Sequence, residues 1–156
     1  MTVGTFIRPR YFEDCIPGAI YEFGSKEVNE TEVIDFARRF DPQLFHTDPE
    51  WAKQSPFGGI IASGWHTGCM MMRMQTDHFL TKETSLPSPG IEELRWLRPV
   101  RPGDRLSVRV TIVDAKRSGS KPDRGAVRLR IEVLNQDREV VMHVKTIYML
   151  LCRELT

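Results

Sequence analysis

Three runs in the C-terminal half of the chain alternate with a period of two. They are Leu106, Val108, Val110 and Ile112, then Val127, Leu129, Ile131 and Val133, then Val140, Met142, Val144, Thr146, Tyr148 and Leu150. Successive side chains of a strand point to opposite faces, so each run has one face to bury and one for solvent. Long antiparallel strands packed on one face satisfy all three runs together. What remains is to find the element that covers that face.

The N-terminal half supplies it. Residues 63–80 read as a helix carrying Trp65, Cys69, Met70, Met71, Met72 and Met74, with charge only at Arg73 and Asp77. Apolar on most of its circumference, this helix is expected to be wrapped on most sides. A fourth strand pattern, "IEELRWLRPV" (residues 91–100), leads into the turn "RPGD", and "TKETSLPSPG" (residues 81–90) reads as a loop. "AIYEFGSKEV" (residues 19–28), after the turn pair Pro17-Gly18, reads as a further strand. At 156 residues the chain is long enough for one domain burying roughly 70% of its unfolded surface. The expected class is α+β: a single domain over residues 1–156, with a long curved antiparallel sheet wrapped around a central helix.

Between the first strand and the central helix lies the densest polar chemistry. "NETEVIDFARRF" opens on Asn29 with Glu32 three positions on, and places Val33, Phe36, Ala37 and Phe40 on one helix face. Pro42 ends that helix at Phe40 or Asp41. In "FDPQLFHTD", Asp41 precedes His46 by five residues, a spacing open to an acid-base pair, a metal site or a polar turn. Asp48, followed by Pro49 and Glu50, reads as the N-cap of a short helix. A metal held by Asp41, His46 and Asp48 would have a single histidine, and the reading is that no metal is bound.

Composition narrows the function classes. With 22 Lys+Arg against 21 Asp+Glu the net charge is +1, giving no electrostatic case for nucleic acid or an anionic membrane as partner. Residues 58–72, free of Asp, Glu, Lys and Arg, are short of the roughly 20 residues that span a bilayer and are broken by glycines. Cys15, Cys69 and Cys152 form no CxxC motif and read as reduced, buried thiols. "MTVGTFIRPRYFEDCIPG" contains no apolar leader core, so a cytoplasmic location is expected.

"FARRFDPQLFHTDPEWAKQSPFGGIIASGWHTG", followed by "ELRWLRPVRPGDRLSVRV", resembles the MaoC-like dehydratases of the hotdog fold, the group that includes the (R)-specific enoyl-CoA hydratases. The resemblance runs from "FEDCIPG" to the last strand. It implies that Asp41 and His46 hold a catalytic water, with Asp41 the principal base and His46 orienting it. The family's usual "HG" at the start of the central helix reads Ser63-Gly64 here, and the asparagine common between the catalytic pair is absent from Pro42, Gln43, Leu44 and Phe45. The helix start offers free amides to a developing oxyanion, so Gly64 is expected to donate there and Ser63 to line the pocket.

Gln43, Phe45 and His66 are candidates for substrate contact. Arg117, Lys121 and Arg124, with Arg95, Arg98 and Arg101, are candidates for coenzyme A phosphates. The implied reaction is reversible hydration of a 2-enoyl-CoA to a 3-hydroxyacyl-CoA, without a cofactor because coenzyme A is part of the substrate. A homodimer or higher homo-oligomer is implied as well. The rivals are a hotdog thioesterase and a non-catalytic acyl-CoA-binding subunit.

Overall fold

The computed structural model describes residues 8–154; the first residues of the stretch read above for a leader lie outside this range. After a 3-10 turn at Phe12–Asp14, the chain forms β1 (Ile20–Glu27), α1 (Glu30–Phe40), α2 (Leu44–Thr47), α3 (Pro49–Gln54) and α4 (Gly64–His78). Four strands follow: β2 (Ser85–Trp96), β3 (Arg105–Arg117), β4 (Arg124–Leu134) and β5 (Val140–Leu151). They make one antiparallel sheet in the order β1-β3-β4-β5-β2, which is the α+β hotdog arrangement expected from the sequence.

Register turns the alternation into a packed surface. Tyr21, Val110, Ile131, Val144 and Leu94 stand opposite one another across all five strands, and the adjacent row is Phe23, Val108, Val133, Met142 and Trp96. Because a one-residue slip would turn each strand's apolar set to solvent, burial of this face fixes the register. The apolar sets of β3 and β4 are at most 1% exposed, and Met70, Met71 and Met74 of α4 pack with them in one core.

Local signals are made as the sequence indicates. Asn29 accepts from the Glu32 amide at 3.1 Å, although the Glu32 carboxylate goes to Lys26 at 2.9 Å instead of returning to the cap. Asp48 accepts from the amides of Glu50 and Trp51, both at 3.0 Å. The one-turn helix α2 between these elements has no sequence counterpart above.

Three expectations need correction. Residues 85–90 belong to β2 rather than to a loop; Pro87 and Pro89 are tolerated because β2 is an edge strand, whose outer amides need no partner. The helix α4 is not wrapped on most sides, since Trp65 is 60% and Met72 38% exposed while Cys69 is open to solvent. A sheet covers one side of a helix, and the apolar residues on the other side are left facing outward. Cys15 and Cys152 are buried as expected, and Cys69 is not.

If the inner face of the sheet carries the fold, Leu129→Ala at the centre of β4 should cost about 2–5 kcal/mol in urea unfolding. Substituting Leu97, which is half exposed outside the strands, should cost far less.

Candidate active site

The helix α1 ends where Pro42 forbids its continuation. Asp41, its C-cap, donates its amide to Ala37 O at 2.8 Å, and its carbonyl accepts from the Gln43 amide at 2.8 Å. That tight turn starts α2, which carries His46 into the interior, where it is buried. Ile61 receives it: the Ile61 amide donates to Phe45 O at 3.1 Å, and Ile61 O lies 2.7 Å from His46 Nδ1. A carbonyl oxygen only accepts, so Nδ1 carries the proton and Nε2 is the nitrogen left for chemistry.

His46 Nε2 lies 3.2 Å from Asp41 Oδ2. Ser63 Oγ donates to the same oxygen at 2.7 Å, and Gln43 Nε2 donates to Oδ1 at 2.6 Å. Burial pushes Asp41 upward, but the hydrogen bonds from Ser63 and Gln43, together with the neighbouring imidazole, outweigh it and hold the carboxyl below the usual carboxylate range. The Phe45 ring meets the imidazole edge-on at 4.4 Å between centroids and also packs on Phe57, so Phe45 buttresses His46 from behind.

Asp41, Gln43, His46, Gly64 and Thr67 open onto one cleft of about 450 Å³, walled by Ile61, Ala62, Trp65, Trp96, Leu97, Val100 and Val141. The N-terminus of α4 enters at Gly64, where the first amides of a helix have no acceptor inside it. The indole of Trp96 lies so close to Gly64 that a β-carbon there would collide with it, and Trp96 meets Trp65 edge-on at 5.1 Å. From sequence, Trp96 reads as packing on the central helix or as a subunit contact. Its register beside Met142 places it on the inner face, which the Leu94-Trp96 alternation already signalled.

Other candidates lie elsewhere. His66 stacks flat on Phe36 at 4.7 Å and lines a different cavity with Lys26, Met70 and Met74; burial holds it below the usual histidine range. It does not line the Asp41–His46 cleft because two residues along a helix turn a side chain to another face. Arg117 pairs with Glu13 and donates to Pro122 O and Glu154 O, while Arg124 pairs with Asp123 and Lys121 is exposed in the β3–β4 turn. These three join the hairpin end of β3, remote along the strand from the cleft at its other end, and do not line it. Of the basic candidates Arg98 does, with Nε 3.5 Å from Glu139.

A five-stranded antiparallel sheet packed on one side of a central helix, with Asp41 and His46 beside the N-terminus of that helix, is the hotdog arrangement. A family model described as "MaoC like domain" matches residues 15–134, and the chain belongs to that family. It is 31% identical over 108 residues to the 3-hydroxyacyl-thioester dehydratase Z of Mycobacterium tuberculosis (strain H37Rv), covering 68% of this chain and 72% of that protein. The MaoC-like dehydratase of Rhodospirillum rubrum superposes with a TM-score of 0.86 at 36% identity, over 94% of this chain and 99% of the other. The R-hydratase PhaJ1 of Pseudomonas aeruginosa shares the fold, with a TM-score of 0.70 at 22% identity over 92% and 86% of the two chains.

Two outcomes follow from this geometry. Gly64→Ala should displace Trp96, altering the near-ultraviolet circular dichroism of the tryptophans while the far-ultraviolet spectrum is kept. Asp41 has a depressed folded-state pKa, so its ionised form stabilises the fold above the unfolded value of about 3.9, and this contribution is lost as pH falls through the folded value. The stability difference between wild type and Asp41→Asn in urea should therefore shrink between pH 7 and pH 3.

Proposed function

We propose that the chain is a hydro-lyase adding water reversibly across the double bond of a 2-enoyl-CoA to give a 3-hydroxyacyl-CoA. The observation that carries this reading is the 3.2 Å approach of His46 Nε2 to Asp41 Oδ2 in a cleft that also holds the N-terminus of α4. Hydration needs an acceptor for a water proton, a donor for the α-carbon and a stabiliser for the thioester oxygen. The site has a candidate for each.

With Nδ1 committed to Ile61 O, a proton between Nε2 and Oδ2 resides on the imidazole when Asp41 is ionised. Asp41 takes a proton from water as its oxygen bonds to the β-carbon, and electron density moves to the thioester oxygen. His46 Nε2–H then gives its proton to the α-carbon as the enolate collapses. The proton gained by Asp41 returns to Nε2 across the same contact, and the site is reset. Amides at the start of α4, Gly64 among them, would face the thioester oxygen as its charge grows. Dehydration follows the same steps in reverse.

Arg98 at the edge of the cleft would meet a coenzyme A phosphate, as a guanidinium suits. The assembly we propose is a homodimer: among the described residues β2 pairs with β5 alone, and Ile91 of β2, Leu97 beyond it and Trp65 and Met72 of α4 leave apolar surface for a second copy to cover. We place the reaction in the cytoplasm, consistent with three free cysteines.

Crotonyl-CoA and longer or branched enoyl-CoAs, followed by loss of the conjugated thioester absorbance, test the reading. Wild type should turn over at least one of them, and Asp41→Asn and His46→Gln should each lose about 100-fold to 10,000-fold in rate. Unchanged activity in both variants would overturn the mechanism. Release of free thiol from saturated acyl-CoA would move the assignment to a thioesterase, and tight binding without turnover to an acyl-CoA-binding subunit.

A further inference from the structure

Ser63 stands at the N-cap of α4, where serine ordinarily turns its hydroxyl onto the amide of the second or third helical residue. Here it does not. Its side chain makes no cap bond, and Oγ donates to Asp41 Oδ2 at 2.7 Å, across 22 positions of sequence. Ser63 is fully buried, so its hydroxyl has no water to turn to and its orientation is set by this one acceptor. On the other side of the carboxylate, Gln43 Nε2 donates to Oδ1 at 2.6 Å.

We infer that Ser63 and Gln43 are positioning residues that hold Asp41 as an ionised proton acceptor, and that Ser63 does so by giving up the cap of its own helix. The inference rests on the hydratase reading for its kinetic consequences and on the geometry alone for the state of Asp41. Both carboxylate oxygens receive a donor, which fixes the plane of the group and favours its charged form. The second consequence is at the helix. A hydroxyl folded back on the first turn would cover its amides; turned to Asp41, it leaves the Gly64 and Trp65 amides uncapped by a side chain, while the His66 amide is taken by Ser63 O at 2.9 Å. One side chain thus serves the proton acceptor and clears the oxyanion donors.

Few other charges act on this carboxylate. The titratable or charged side chains lining the cleft are Asp41, His46 from α2 and Arg98 from the segment after β2, whose partner is Glu139. The helix α4 contributes none to the cleft; it brings Gly64, Trp65 and Thr67. Asp41 and His46 form the reacting pair, and the neutral donors Ser63 and Gln43 therefore bias the carboxylate without adding a group that titrates.

The test is carboxyl-carbon NMR on protein labelled in its aspartates, with Asp41 identified by loss of its signal in Asp41→Asn. Asp41 should titrate at higher pH in Ser63→Ala and in Gln43→Met than in wild type. Gln43 is exposed, so its variant leaves the core intact and guards against a folding defect in Ser63→Ala. In the hydration assay, each variant should lose about tenfold or more in kcat with a smaller change in KM, and the acid limb of kcat/KM should move to higher pH. Unshifted Asp41 titration in both variants would overturn the inference, as would a uniform loss of rate with the acid limb in place. Absence of turnover by wild type on every thioester would refute the hydratase reading, while the NMR titration would still decide this one.

Discussion

Two hydrogen bonds join Phe45 and His46 to Ile61, one from backbone to backbone and one from ring to backbone. They are the seam between the segment that carries Asp41 and His46 and the segment that leads into α4. Without them, α2 would be a lone helical turn, and a helix of that length has no stability of its own. The seam fixes the histidine tautomer, sets Nε2 against Asp41, and brings Ser63 close enough to reach the same carboxylate. It is extended by the Ala62 amide, which donates to Val100 O at 2.8 Å and so anchors the approach to the helix on the strand connection.

Around the seam, apolar burial and polar satisfaction divide the work. The sheet and the methionines of α4 supply the area removed from water, and the methionine side chains fit an irregular space under a curved sheet. At the cleft the buried polar side chains are paired, His46 with Ile61 O and Ser63 with Asp41, whereas His66 Nδ1 and Gln75 Nε2 have no hydrogen-bond partner among the described residues. An unpaired buried carboxylate or imidazole is costly, so the ring of donors around Asp41 is a condition for burying it as well as for using it.

Much of this was legible from sequence. Alternation in β3, β4 and β5 needs only counting, since the burial it reports is decided by the strand's own period. Pro42 and Asp48 carry their meaning locally: one forbids helix, the other caps one. Asp41 and His46 were found through a resemblance, and the structure brings them together. What could not be read depended on partners far along the chain. The turning of His66 toward Phe36, the ties of Arg117 to Glu13 and the C-terminal segment, and the position of Trp96 over Gly64 are contacts that no local pattern encodes. The prolines of β2 misled for the opposite reason: they mark a strand edge as well as a loop, and only topology distinguishes the two.

Those prolines bear on a hazard common to open sheets. An edge strand with a continuous row of free amides and carbonyls templates further strands without limit. Here β2 has Pro87, Pro89 and register breaks before Gly90 and again before Glu93, and the opposite edge, β1, is broken between Phe23 and Lys26. Each edge therefore offers only short uninterrupted ladders. A strand added at either margin would meet an interruption within a few residues, which shortens the ladder it could build.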